Sequence, residues 1–238
     1  FTWANYNEVF TDPLYRTLIF RSVKIAAFVT FLTVILAYPI AYFIAFNVKK
    51  SKAMWLFLVT IPFWTSYLLR VFSWKLILAQ NGVVNSGLLW LGIIDTPIDA
   101  LLYNSGAVTV TLAHAWAPFA ILPIFVTLDK IDRSLLEAAK DLGEGPVRCF
   151  LRVTLPLSIP GIIGASLIIF IPTVGDYVTP ALVGGSDGAM VANMIQVQFG
   201  KANNWPLGAA LALSAVVCVT IAASMLVLGL KFLERAIK

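Results

Sequence analysis

Residues Glu137-Ala138-Ala139-Lys140-Asp141-Leu142-Gly143 are followed, after nine intervening residues, by Val153-Thr154-Leu155-Pro156, and this polar stretch stands between two long apolar runs. Ser134 and Glu137 have the capping-box spacing that opens a helix, Ala138 and Ala139 favour its continuation, and Gly143 suits the left-handed residue that closes one. A rigid helix of about two turns is predicted over residues 135–142. Gly145-Pro146 then turns the chain, a second short helix is predicted over 147–153, and Leu155-Pro156 leads into the next apolar run. A compact knob of this kind can transmit rigid-body motion. A plain charged surface helix joining two membrane spans would have the same local composition.

The wider chain reads as a membrane protein. Of its residues 60% are hydrophobic and 12% charged, whereas a soluble domain carries about a quarter charged. A membrane-spanning helix needs about 20 apolar residues, and charge-free runs occur at 25–46, 53–69, 107–128, 157–175 and 207–230. These give an all-α integral membrane protein with five spans, folded as a single transmembrane domain over 1–238 with its polar loop at 129–156. The second run is the shortest, and its helix is expected to continue past Arg70 and Lys75, whose long side chains would snorkel or point into the protein. Residues 83–94 are too few to cross and read as an interfacial or re-entrant helix.

Orientation follows from the basic residues. Lys49, Lys50, Lys52, Lys130, Arg133, Lys140, Arg148, Arg152, Lys231, Arg235 and Lys238 collect on one side, which is 11 of the 17. That side is read as cytoplasmic, so the 129–156 loop and the C-terminus face the cytoplasm. The remaining six, Arg16, Arg21, Lys24, Arg70, Lys75 and Lys201, share the other side with as many acids: Glu8, Asp12, Asp95, Asp99, Asp176 and Asp187. The net charge of +5 thus reflects topology, not a nucleic-acid footprint. Five spans put Phe1 outside and Lys238 inside, and an additional span preceding Phe1 is expected; a cleaved signal peptide would give the same parity.

Thr11-Asp12-Pro13 is a helix-start signal, a capping residue followed by proline at the first helical position. Prolines 39, 62, 118, 123, 160 and 172, with Gly161, Gly164 and Gly175, fall in or beside the spans, so bent or interrupted helices are expected. Such backbone suits a translocation pathway, and proline is also common in membrane helices that transport nothing.

Little catalytic chemistry can be assembled. His114 is the only histidine, so no His-based metal cage can form, and on an apolar span it reads as a packing residue. Cys149 and Cys218 are lone thiols without metal spacing. No phosphate-binding GxxxxGK[ST] loop occurs, so ATP binding by this chain is not expected. No nucleophile, acid–base pair or metal set points to an enzyme.

The Glu137 to Pro156 stretch resembles the cytoplasmic coupling loop of ABC importer permeases, written EAA, three residues, Gly, nine residues, Ile, one residue, Leu-Pro; only Val153 departs from it. Further segments resemble the permeases of bacterial spermidine and putrescine importers: Pro62-Phe63-Trp64-Thr65-Ser66, Leu69-Arg70-Val71, Asn81-Gly82 with Leu91-Gly92-Ile93-Ile94-Asp95-Thr96-Pro97, and Asn204-Trp205-Pro206. The resemblance runs over essentially the whole chain and implies a type I importer fold in the bacterial inner membrane. Its implied partners are a homologous second permease, two nucleotide-binding subunits that carry ATP and Mg, and a periplasmic binding protein. It also implies that Glu137, Ala138, Ala139, Asp141, Leu142, Gly143 and Pro156 serve coupling to the nucleotide-binding subunit, by an alternating-access cycle. Permeases for opines, quaternary amines, amino-acid-like solutes or other organic cations share parts of these motifs. An autonomous ion-coupled carrier is the other class, but it needs ionisable groups that the charge-free cores of four spans do not supply.

A polyamine's ammonium groups need carboxylates, carbonyls or aromatic faces in place of water. Asp176, beside Tyr177 at the outer end of the fourth span, is the candidate acid for the substrate pathway; pairing with Arg70 or Lys75 alone is the competing reading. Trp64, Tyr67 and Trp74, at spacings of three and seven, are expected on one helical face around Arg70, as an aromatic wall or as interfacial packing. The outer loop 177–206, with Gly184-Gly185-Ser186-Asp187-Gly188, reads as a flexible segment that could meet the binding protein or as a simple connector.

Overall fold

The computed structural model describes residues 3–237, all helix and loop with no strand among them. The assignments of Phe1 to the outer side and Lys238 to the inner side fall outside the described residues.

Asp12 starts the first long helix as read: its carboxylate accepts from Leu14 N at 2.7 Å, with Pro13 at the first helical position. A short preceding helix, α1 (Ala4–Thr11), was not foreseen in the sequence. Helix α2 (Pro13–Tyr42) runs on through a π turn (Phe43–Asn47). Next come α3 (Lys52–Thr60), a 3₁₀ turn (Ile61–Trp64), α4 (Tyr67–Leu78) and α5 (Val83–Trp90). Helix α6 (Ser105–Asp129) leads to the short α7 (Arg133–Asp141) and α8 (Pro146–Cys149), and a second π turn (Phe150–Thr154) joins α8 to α9 (Leu155–Val174). A third π turn (Pro180–Gly184), α10 (Val191–Phe199) and α11 (Trp205–Ile237) complete the chain.

Four helical runs are long and apolar enough to span a membrane alone, and the fifth predicted span is a broken one, made by α3 with its 3₁₀ turn and the limb that follows. The chain breaks after Trp64, and the limb beginning at Tyr67 leaves the α3 axis at 82°. Nine α-helical residues and four in 3₁₀ form give about 20 Å, short of the ~30 Å hydrocarbon layer. The expected straight helix through Arg70 and Lys75 is therefore corrected: both lie on the bent limb. Pro62 has no N–H for the i−4 carbonyl, and Thr65 turns its hydroxyl back onto Pro62 O at 2.7 Å while Thr65 and Ser66 extend. Prolines 118, 123, 160 and 172, by contrast, sit inside uninterrupted helices. Residues 83–90 form the predicted short helix, and buried Asn85 ties it down through Ile98 N at 2.9 Å and Ile98 O at 3.2 Å.

Helices α6 and α9 are the interior of the bundle, with 56% of their most apolar stretch buried against 22% for α11. They pack with α2 through Val29, Leu112, Ile124, Leu128, Ala165 and Ile169. A second cluster joins α1, α2, α9, α10 and α11 around Leu18, Phe170 and Leu211. Four buried hydroxyls are satisfied locally, as an apolar medium favours: Ser22, Thr30, Thr33 and Thr173 donate to carbonyls four residues back at 2.6–2.8 Å. Helices α6 and α9 touch at Gly161, where a Cβ would stand 2.4 Å from Thr127 Oγ1.

The outer loop 177–206 is also more ordered than its glycines suggested. Gly185 has φ +59, and a Cβ there would stand 2.5 Å from Tyr103 O; a Cβ on Gly188 would meet the Gly184 backbone. These glycines permit close approach of backbone to backbone and not flexibility.

Candidate functional site

At the end of the bundle formed by the last turns of α2 and α6, α7 stands out as a short amphipathic helix. Its N-cap is Asp132, whose carboxylate accepts from Ser134 N at 3.0 Å. That backbone bond holds the Asp132 carboxyl below the usual carboxylate range. The predicted Ser134–Glu137 capping box is therefore corrected: the helix begins two residues earlier because aspartate is a strong N-cap, which leaves Glu137 exposed on the first turns. The other end is as read. Gly143 has φ +83, its N–H donates to Lys140 O at 2.8 Å, and Glu144 N donates to Ala139 O at 3.0 Å, the paired bonds of a Schellman cap. Ala139 faces inward, Ala138 and Asp141 are exposed, and Leu142 points outward with 85% of its surface free. Val147, on α8, is 68% free, so the knob presents exposed apolar side chains on both of its short helices.

The knob is fastened to the bundle. Arg152 Nη1 donates to Glu144 Oε1 at 2.5 Å. Lys52 Nζ reaches Asp129 Oδ1 at 2.5 Å and Ala45 O at 2.9 Å, and Arg133 Nη2 donates to Phe46 O at 3.3 Å. Two cations thus sit on carbonyls at the C-terminal end of α2, where the helix dipole favours them. The segment predicted as a second short helix is continuous with α9: the π turn 150–154 precedes buried Pro156, which has no N–H for Arg152 O, and the wider turn accommodates the missing bond.

At the opposite end, the bent limb meets the end of α9. Tyr67 Oη donates to Asp176 Oδ2 at 2.5 Å and lies 2.6 Å from Thr179 Oγ1. The other carboxylate oxygen of Asp176 accepts from Val178 N at 2.9 Å. Asp176 makes no ion pair with Arg70 or Lys75 among the described residues, so that reading is set aside. Arg70 instead lies over Phe63 and Tyr67, 5.2 and 5.9 Å from the ring centroids, and donates to Ala115 O at 3.3 Å. Lys75 lies 5.8 Å from the Tyr103 ring.

A cavity of about 340 Å³ opens here between Phe63, Tyr67, Arg70, Trp116 and Phe119. Phe63 and Phe119 meet edge to face at 4.7 Å, and Trp116 tilts against Phe119 at 5.5 Å. The indole N–H of Trp116 and Nε of Arg70 are buried without a hydrogen-bond partner. The structure therefore brings together Asp176, Tyr67 and Arg70, but not the predicted single face of three aromatic residues. Trp64 lies beyond the chain break, 76% exposed against Phe57, and Trp74 packs on His114 at 5.5 Å. Tyr177 adjoins the cluster with an exposed side chain, its carbonyl accepting from Asn193 at 2.8 Å. Phe63, Trp116, Phe119 and Thr179 were missed; the i, i+3 pair Trp116 and Phe119 facing a second aromatic run was the available signal.

The chain matches, over residues 4–238, the family described as the binding-protein-dependent transport system inner membrane component. It belongs to that family. This permease is 37% identical to the spermidine/putrescine transport system permease protein PotB of Escherichia coli K12 over 217 residues, 91% of this chain and 78% of the relative. It is 34% identical to PotB of Haemophilus influenzae over 237 residues, covering 100% and 82%. Among solved structures it is similar to a bacterial alginate ABC transporter in complex with a pentasaccharide-bound periplasmic protein (TM-score 0.67, 18% identity, 93% of this chain and 81% of that one). It is also similar to the inward-facing MetNI methionine ABC transporter (TM-score 0.64, 18% identity, 94% and 96%). The fold is that of an ABC importer permease, and the permease is a multi-pass inner-membrane transport subunit, not an enzyme.

Proposed function

We propose that this permease forms, with a homologous second permease, the pathway by which an ATP-driven importer takes polyamines such as putrescine and spermidine from a periplasmic binding protein into the cytoplasm. The observation that carries this reading is 37% and 34% identity, over nearly the whole chain, to two permeases named for spermidine and putrescine transport. The basic end of the bundle, with the 129–156 loop and the C-terminus, faces the cytoplasm. There the exposed apolar side chains of Leu142 and Val147, framed by Glu137, Ala138 and Asp141, dock into one of two nucleotide-binding subunits, which hold ATP and Mg. Closure of those subunits carries α7 with them, the Arg133–Phe46 contact passes the motion to the end of α2, and the Lys52–Asp129 bridge ties α3 to the end of α6. The permeases then rock between outward-open and inward-open states.

In the pathway, Phe63, Tyr67, Trp116 and Phe119 offer ring faces that stabilise ammonium groups. Asp176 adds negative charge through Tyr67, whose hydroxyl it orients. ATPase activity of the assembled complex in lipid nanodiscs, with its binding protein, tests the reading across putrescine, spermidine and other organic cations. Stimulation by a polyamine is expected. Stimulation only by another cation would keep the importer class and discard the polyamine.

A further inference from the structure

A cavity of about 580 Å³ lies between the first turns of α2 and α6, at the end of the bundle opposite the 129–156 loop. Three charged side chains line it: Arg21 and Lys24, one turn apart on α2, and Asp187 from the outer loop. Arg21 Nη1 is held on Ser186 O at 2.7 Å, which leaves its other donors free. Lys24 and Asp187 border the same space, yet neither has a hydrogen bond or ion pair among the described residues. Unpaired opposite charges across one cavity call for a ligand that carries both signs.

The depth of the cavity identifies the class of ligand. From Pro13 to Asn47 the helix has 35 residues, about 52 Å, well beyond a hydrocarbon layer of about 30 Å. Only residues 25–46 are charge-free, about 33 Å of helix, so Arg21 and Lys24 stand at the polar boundary of the bilayer. Ser105, the first residue of α6, lines the same cavity. Below them the lining is apolar, with Ile25, Phe28 and Val110, and Phe28 has more than half its surface open.

We infer that this cavity is a binding site for one phosphatidylethanolamine molecule. Its phosphate meets Arg21 and Lys24, its ammonium meets Asp187, and its acyl chains run down over Phe28 and Val110. Phosphatidylglycerol offers the two bases the same phosphate but brings no cation to Asp187. The hydroxyl of Ser105, at the N-terminus of α6, adds a donor on the phosphate side.

The test is lipid retention by the assembled complex, counted by native mass spectrometry after equilibration in mixed micelles of equal phosphatidylethanolamine and phosphatidylglycerol. The wild-type complex should retain phosphatidylethanolamine over phosphatidylglycerol by about three-fold, as befits one ion pair at a membrane surface. Asp187→Asn should bring that ratio to about one, and Lys24→Gln should lower retention of both lipids by a similar factor. Both side chains are exposed, so the variants should fold. Equal retention by the wild type, a preference for phosphatidylglycerol, a preference that survives Asp187→Asn, or retention unchanged by Lys24→Gln would each overturn the assignment.

Discussion

Gly143 shows how one residue can set the behaviour of a loop. Its Cβ would meet no atom within 4 Å, so the whole constraint is φ +83, a region that costs an ordinary residue roughly 1–2 kcal/mol and a β-branched one more. Gly143→Val should unwind the Schellman cap, displace Leu142 and reduce uptake several-fold while membrane content stays near wild type. Gly143→Asn, which tolerates the left-handed region, should restore most uptake. Equal loss in both variants would point to space and not to φ as the cause. Asp132 anchors the other end of the same helix, so Asp132→Ala should lower the melting temperature whereas Glu137→Ala should not; differential scanning fluorimetry of the complex distinguishes them. The lowered Asp132 pKa has a definite sign. Its stabilisation is present above the ordinary carboxylate pKa and is lost as pH falls through the lower folded-state value, so the cap is intact at neutral pH and fails only in acid. In the aromatic cavity, Tyr67→Phe deletes a hydrogen bond to an ionised acceptor, a loss of about 1.5–3 kcal/mol. The variant should melt earlier and import more slowly, and unchanged kinetics would remove Asp176 and Tyr67 from the pathway.

Among the helices, the contrast between Pro62 and Pro118 explains what could be read from the sequence. Both stand in long apolar runs, yet α6 passes Pro118 and Pro123 unbroken while the chain turns by 82° after Pro62. A membrane helix can carry a proline when its neighbours repair the freed carbonyl, as packing does for the buried α6. The α3 limb has no buried residue, so nothing holds it straight, and the Thr65-Ser66 pair supplies the hydroxyl that seals the break. That distinction depends on tertiary packing, which hydropathy does not encode. The other four spans, the Asp12-Pro13 start and the Gly143 stop were legible because each rests on local chemistry. Arg152 to Glu144 and Lys52 to Asp129 were not, since eight and 77 residues separate the partners. The Lys52–Asp129 bridge, with side chains 30% and 40% exposed, should have a coupling energy of about 0.5–1 kcal/mol in a double-mutant cycle of Lys52→Met and Asp129→Asn. A larger deficit in transport than in stability would mark the bridge as a mechanical link between α3 and the loop.

For the molecule as a whole, charge and burial together define its setting. The α11 helix keeps only 22% of its most apolar stretch buried, and large residues such as Met225, Leu228 and Phe232 lie open on it. A surface of that composition needs lipid or a partner permease against it. Along the perpendicular direction the two ends differ in charge, and the contacts that join Lys52 to Asp129 and Arg133 to Phe46 confirm that the basic loops lie together at one end. Contacts of Arg21 with Ser186 and of Ser22 with Val191 gather the other set at the opposite end. If the basic end is cytoplasmic, a cysteine at the exposed position of Leu142 is reachable only from the cytoplasm, and one at exposed Asp187 only from the periplasm. With Cys149 and Cys218 replaced by Ser and Ala, Leu142→Cys should react with a membrane-impermeant maleimide in inverted vesicles and not in intact spheroplasts. Asp187→Cys should show the reverse. Reaction of Leu142→Cys in spheroplasts would invert the topology, and with it the direction in which ATP-driven closure at the loop could drive transport.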